Sequence, residues 1–327
     1  MPNDVFYGSD ALCRFGIMAD AITDPTVWWG LEFVSLTLSP TRQRTARPKM
    51  GQGLNNPIDP TKPVPGFYKF AGALVLDADS RMLPLVLRAG IGPSVDTGPS
   101  SGIYTHTWKS GGVTPAYFAL QVRFNGDTAP NPVRVLRGMT FGSISASATG
   151  EQVQNFDLSL ALRGLTRARV SDWLSGTVNA VPAESPMSRA QILVDGTAAS
   201  NTLQASYSWD RLIAEDTFLT TAPNVSGLRP SGGALKGSAQ FRALATTFDD
   251  DEEGDVTHDY KLQMLGVTSG HEIDFEHPCG LLDASPIDIK GPALLERTIS
   301  WTGYQQPGSP GTPGAVITVK NDVAAYA

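Results

Sequence analysis

Two stretches, Phe67-Tyr68-Lys69-Phe70-Ala71-Gly72-Ala73-Leu74-Val75-Leu76 and Tyr117-Phe118-Ala119-Leu120-Gln121-Val122-Arg123-Phe124, decide the fold class. Each alternates with period two and is bounded by Gly or Pro, the pattern of a strand with one face turned to a core. Working outward, the same pattern predicts strands over 31–38, 103–108, 133–147, 156–163, 190–194, 203–209, 237–246, 260–267, 272–277, 297–304 and 315–320. Strands this short and this close together point to an all-β, mainly antiparallel chain. Helical signals are few. Asp79 is placed to cap a turn in which Met82, Leu83, Val86 and Leu87 share a face, with Pro84 near its start and Gly90 and Gly92 ending it. Two more short helices are predicted over 169–174 and 210–219.

A chain of 327 residues has room for two modest cores. Periodicity lapses over 177–188, which holds Pro182 and Pro186, so the sequence divides into a first module 1–176, a connection 177–188 and a second module 189–327. A faint echo supports duplication: 133–147 resembles 192–196 followed by 203–209. Two long loops stand apart. One spans 40–65 and carries Arg42, Arg44, Arg47 and Lys49; the other spans 249–259 and carries Asp249, Asp250, Asp251, Glu252 and Glu253. In a stacked assembly these opposite charges are candidates for contacts between subunits or rings.

Charged residues are only 17% of the chain, which suits either surface buried between subunits or a β-protein covered by Ser and Thr. A net charge of −7 lacks the basic surface that tight nucleic-acid binding requires, whereas an acidic wall would repel phosphate and let DNA pass. Cys13 and Cys279 are too few for a disulfide framework and fit a reducing compartment. Residues 1–7 lack the pattern of a signal peptide and no apolar run is long enough to span a bilayer, so neither secretion by that route nor a membrane partner is expected.

Chemical motifs are few. Gly98-Pro99-Ser100-Ser101-Gly102 matches G-x-S-x-G, but a loop precedes it and a strand follows, so it reads as a turn. In 271–279, strand alternation sends His271, Ile273, Phe275 and His277 to one side and Glu272, Asp274 and Glu276 to the other. No local zinc set converges, and the acidic stripe is a candidate for lining an aqueous channel or for a plain solvated face. Asp249, Asp251, Glu253 and Gly254 start like a calcium loop, but Tyr260 stands where a bidentate Glu is required. No phosphate-cradling glycine loop is present, and no cofactor, metal or catalytic residue is assigned.

The order of pieces resembles the major tail tube proteins of long-tailed bacteriophages. The resemblance rests on 7–16, on Val34-Ser35-Leu36-Thr37-Leu38-Ser39-Pro40-Thr41-Arg42, and on Ala71-Gly72-Ala73-Leu74 running into 82–92. It continues through Ile103-Tyr104-Thr105-His106-Thr107-Trp108, Leu136-Arg137-Gly138-Met139, 143–147 and 158–164, and returns at Ile299-Ser300-Trp301-Thr302-Gly303-Tyr304 and 317–322. It implies β-sandwich or barrel modules with a small flanking helix, a virion location and no enzymatic activity. Its expected partners are further copies of the chain, forming homotrimeric pseudo-sixfold rings or hexamers that stack into a tube, together with tape measure and tail terminator proteins. DNA would cross the lumen without specific binding. The alternative is a carbohydrate-binding or adhesive β-sandwich of a tail tip or decoration protein, with Trp28 and Trp29 as candidate contacts. A β-jelly-roll enzyme built on His271 and His277 is a further rival.

Overall fold

The computed structural model describes residues 11–45, 64–112, 116–124, 129–150, 157–180, 182–216, 227–242, 254–283, 296–306 and 311–326. Over these the chain is nearly all β, and the only α-helix among them is α1 (Met82–Gly90).

Strand β8 (Val133–Thr149) organises the molecule because it belongs to two sheets. Its first half pairs with β7 (Tyr117–Phe124) and β10 (Thr166–Val170), and its second half with β9 (Asp157–Gly164) and β14 (Thr202–Asp210). The change of sheet falls at Gly138, whose φ is +63° and whose missing Cβ would stand 2.7 Å from Leu165. A glycine supplies both the left-handed backbone and the close approach. A register shift between Phe141 and Ser143 carries the bend further, as a bulge does.

On the first side, β7 continues through β1 (Ala11–Met18) and β2 (Val27–Gly30) to β11 (Thr177–Asn179), which joins β2 in parallel. On the second, seven antiparallel strands stand in the order β3 (Ser35–Thr45), β4 (Val64–Asp77), β9, β8, β14, β17 (Ala234–Arg242) and β20 (Glu296–Gly303). The end of β19 (Glu272–Asp283) pairs with β20, while its start pairs with β21 (Val316–Asn321). Pro278, which has no N–H to give a ladder, lies between the two partners. The other edge of β19 carries β18 (Thr257–Gly266), then β12 (Met187–Val194) with its short hairpin mate β13 (Thr197–Ala198). Beyond β21 come β6 (Ile103–Lys109) and β5 (Val95–Ser100). A separate ribbon pairs β15 (Ile213–Asp216) with β16 (Gly227–Pro230).

Alternation delivers the core. Leu74 and Leu76, Leu158, Leu160 and Leu162, Ile144, Tyr207 and Trp209, Phe241, Ile299 and Trp301, and Ile273 and Phe275 all point inward and join one apolar cluster with the helix residues Leu83, Leu85, Val86 and Leu87. Helix α1 starts where expected. The Asp79 carboxylate accepts from the N–H groups of Arg81 at 2.8 Å and Met82 at 2.9 Å. It ends where Ile91 and Gly92, the latter with φ +125°, bond back to Leu87 and Arg88.

Several expectations are corrected. The helix predicted over 169–174 is instead the end of β10 followed by bends, because Val170 pairs with Val133 and the N–H of Leu174 bonds to Gln121. The helix predicted over 210–219 is replaced by the end of β14 and by β15, where pairing with β16 overrides local preference. The strand predicted from 31 starts at Ser35 and runs to Thr45, so the loop predicted over 40–65 is in part a hairpin, with Arg42 opposite Tyr68 and Arg44 opposite Pro65. Among the described pairings β3 has only β4 beside it, and an edge strand tolerates Pro40.

The 177–188 segment is stitched down. Besides the β11–β2 pairing, Pro186 bridges Asp79, and the Ser185 N–H donates to the Asp79 carboxylate. Strand pairing crosses this segment twice, at β8–β14 and at β6–β21. The first of these ladders joins parts of the echoing stretches 133–147 and 203–209, pairing 143–149 with 204–210.

Candidate functional site

The seven-strand sheet has two unlike faces. One is the core just described. The other carries Ser35, Thr37, Ser39 and Thr41 on β3, Ala71, Ala73 and Val75 on β4, and Ser159, Ala161 and Arg163 on β9. It continues with Ser143, Ser145, Ser147 and Thr149 on β8, Gln204, Ser206, Ser208 and Asp210 on β14, Lys236, Ser238, Gln240 and Arg242 on β17, and Glu296, Thr298, Ser300 and Thr302 on β20. On β3, β8 and β20 outward hydroxyls alternate with core residues almost throughout, β14, β17 and β9 mix hydroxyls with other side chains, β4 presents Ala71, Ala73 and Val75, and the register aligns the hydroxyls across strands.

Ser147, Ser206, Ser238 and Ser300 stand directly opposite one another on four successive strands, and the row ends on Asp283. Within it the Ser206 and Ser238 hydroxyls are 2.8 Å apart. A parallel row runs Ser35, Val75, Ser159, Ser145, Ser208, Lys236, Thr302 across all seven strands. Charges on this face are few and of both signs: Asp77, Asp210 and Glu296 against Arg163, Lys236 and Arg242, with Arg242 and Glu296 paired at 3.2 Å. No aromatic side chain stands on this face among the described residues. Such a surface binds water well. It offers neither the cation density that holds phosphate nor a platform on which bases stack.

The acidic stripe lies elsewhere. Glu272, Asp274 and Glu276 share the outward face of β19, as alternation requires, while His271, Ile273, Phe275 and His277 are buried on the other side. Lys320 meets Glu272 at 3.1 Å and Lys261 meets Glu276 at 2.9 Å, and Gln263 donates to Glu272 at 2.7 Å. Under this cover Asp274 is only 5% exposed, and its Oδ1 has no hydrogen-bond partner. Burial and the neighbouring Glu272 push the Asp274 carboxyl well above the usual carboxylate range, while hydrogen bonds from Asp274, Lys320 and Gln263 outweigh burial and hold Glu272 below it. The stripe is a compact, mostly neutralised network.

The histidines serve the interior. His277 lies stacked on Tyr207 with ring centroids 4.5 Å apart, and its Nδ1 accepts from Trp301 Nε1 at 3.0 Å. Nδ1 of His271 is within 2.8 Å of the Ser80 hydroxyl and 2.7 Å of the Ser185 hydroxyl. Asp322 is 3.8 Å from its Nε2, so the groups form a serine, histidine and aspartate set. Both serines are buried, with Ser80 at 0% and Ser185 at 1% exposure, so no substrate reaches them and the set acts as a clamp on the 177–188 segment. His106 is likewise fixed, by Asp96 at 2.9 Å and the Val323 carbonyl at 3.0 Å. Both thiols are held protonated by burial, Cys13 up to about 12.

Of the aromatic pair considered for carbohydrate contact, Trp28 is fully buried and Trp29 packs on Phe15 at 5.8 Å. Of the charges proposed for contacts between rings, Arg42 and Arg44 lie on β3. Arg47, Lys49, Asp249, Asp250, Asp251, Glu252 and Glu253 lie outside the described residues. Gly98-Pro99-Ser100 ends β5, and Ser101-Gly102 is the turn of the β5–β6 hairpin. Among known proteins, no family model matches this chain and no curated protein matches its sequence.

Proposed function

We propose that the chain is a structural tube subunit of the long-tailed phage type, and that the hydroxyl face of the seven-strand sheet lines a channel through which DNA slides. The observation that carries this reading is the face itself: wide, smooth, rich in small hydroxyls and balanced in charge. DNA passing such a wall meets water-binding groups and, among the described residues, no fixed cation cluster, so it is neither gripped nor strongly repelled. The face replaces the stripe of Glu272, Asp274 and Glu276 as the preferred lining, since Glu272 and Glu276 are already paired with Lys320 and Lys261 and Asp274 is buried between them.

Geometry favours three copies per ring. With strands about 4.8 Å apart, three copies whose seven strands ran along the axis would close a circle about 32 Å across between backbones, and six copies one of about 64 Å. The smaller bore suits a single duplex. Two linked modules per chain, joined through the β8–β14 ladder, would give that ring pseudo-sixfold symmetry. Closure would also pair edge strands such as β3, which otherwise present unpaired backbone groups.

The test is electron microscopy of the purified full-length protein at high concentration, with end-on views classified by symmetry. Hollow rods or rings with threefold symmetry are expected. A dispersed monomer that stays single at all concentrations, and binds glycans instead, would overturn the reading.

A further inference from the structure

After Trp209 and Asp210 complete β14, the chain turns and sends Arg211 back into the protein, where the side chain is 4% exposed. Its own N–H donates to the Gly142 carbonyl at 2.7 Å, which pins the turn to the bend of β8. The guanidinium Nη1 donates to the Gly90 carbonyl, at the end of α1, at 2.8 Å and reaches the Phe141 carbonyl at 3.4 Å. Helix carbonyls at a C-terminus carry partial negative charge and suit a cation, so part of this arrangement is a helix cap. A cap alone does not account for the rest.

No carboxylate lies within ion-pair distance of Arg211 among the described residues, and burial without such a partner pulls the guanidinium down to about 10. A buried charge that meets only carbonyls is left largely uncompensated. Among the described residues the bonds fall on Nη1 and none is made by Nε or Nη2, which form the edge that meets a carboxylate side-on through two parallel N–H···O bonds. Arg211 and Trp209 stand in the wall common to two adjoining clefts, of about 550 Å³ and about 600 Å³. Arg88 and Lys109 line the first of these, which has no acidic residue in its described wall although the chain carries a net −7. Neither makes an ion pair among the described residues. The nearby carboxylate that Arg88 influences, Asp96, is already held by Ser94 and His106. The remaining wall is largely apolar, with Ile17, Met18, Ile91 and Trp108. Such a wall suits an organic acid better than a strongly hydrated, multiply charged phosphate.

We propose that this cleft is an anion-binding site whose occupant is a carboxylate on an apolar stem, received by Arg211 at the floor and drawn in by Arg88 and Lys109. The carboxylate comes either from a free organic acid or from an acidic side chain of a second copy. The site stands independently of the tube reading.

The experiment titrates full-length protein with sodium benzoate at low ionic strength, by calorimetry and by the fluorescence of Trp108 and Trp209, with inorganic phosphate as the comparison. Saturable one-to-one binding of benzoate is expected, weakened about tenfold by Arg211→Gln, as for loss of a charge-assisted bond. Because Arg211→Gln also removes the helix cap, Arg88→Gln and Lys109→Gln are measured alongside; both are expected to fold normally and to weaken binding about threefold each through loss of attraction alone. Absence of saturable binding, tighter binding of phosphate than of benzoate, or rim variants that bind like the parent would each overturn the proposal. Carbodiimide cross-linking at high protein concentration separates the sources. A Lys109 link to an acidic residue of another copy, suppressed by benzoate, assigns the occupant to the second copy. Benzoate binding with no such link assigns it to a free acid.

Discussion

His277 shows how a single side chain sets a pH response. It is fully buried against Tyr207 and Trp301, and burial draws its imidazole down to about 4 from an ordinary 6.5. In the unfolded chain it protonates near 6.5, in the folded chain only near 4, so the stability it confers is complete above the unfolded value and drains away as pH falls between the two. The loss is about 3 kcal/mol over that window. Urea midpoints measured from pH 7.5 to 4.5 should fall accordingly, and His277→Gln, less stable at neutral pH, should flatten the fall. Asp274 acts with the opposite sense. Its folded carboxyl titrates above the unfolded one, so the protein gains from its protonation as pH falls and is penalised as pH rises through the folded value. Asp274→Asn keeps the neutral form at every pH. It should match the parent only at about pH 3.5, below the ordinary carboxyl value of the unfolded chain, and exceed it by a margin that widens as pH rises to 8; equal midpoints at pH 8 would show that Asp274 is ionised without penalty.

Among the elements, β8 carries the most information because its bend divides the sheets. Gly138→Ala places a Cβ in left-handed backbone and against Leu165, and about 2 kcal/mol or more of stability should be lost, read as a lower denaturation midpoint. Ser147, exposed on the hydroxyl face of the same strand, is the contrasting position. Ser147→Lys should shift the midpoint by less than about 0.5 kcal/mol, yet under the proposed tube reading, in which the site would repeat around a ring, it should make DNA adhere in a salt-dependent way. Unchanged DNA retention at low salt would count against the proposal that this face lines a channel. The strands were legible in the sequence because alternation is local: Ser143, Ser145 and Ser147 already mark one face, and Ile144 and Ala146 the other. Alignment of Ser147 with Ser206, Ser238 and Ser300 was not legible, since register across strands far apart in sequence is set by pairing. The two mistaken helices failed for the same reason, as Val170 and Ile213 answer to partners on β8 and β16. Helix α1 was legible because Asp79, Pro84 and Gly92 act within a few residues of each other. Arg211 gave no local sign, because the carbonyls that hold it come from α1 and β8.

At the scale of the whole molecule, the issue is whether the two halves of the chain hold together by themselves. The loss of periodicity over 177–188 divides the sequence in two, yet in the folded chain one apolar cluster takes Phe15 and Leu158 from the first half and Tyr207, Phe275 and Trp301 from the second. The β8–β14 and β6–β21 ladders cross between the halves, and the clamp of Ser80, Ser185 and His271 ties both to the connecting segment. Separating them would expose the edge of β8 along Ser143–Thr149 and leave the His271 ring without either hydroxyl. Interfaces of this kind, apolar at the centre and hydrogen-bonded along strand edges, unfold together with the cores they join. Calorimetry of the dispersed full-length chain should therefore show one transition whose calorimetric and van't Hoff enthalpies agree. Chains cut to 11–176 and 189–327 should each be poorly folded alone and regain β structure when mixed. Two separate transitions in the intact chain, or two halves that fold singly with sharp melts, would show that the shared ladders are contacts between finished modules. In that case the duplication read from the sequence would extend to folding itself.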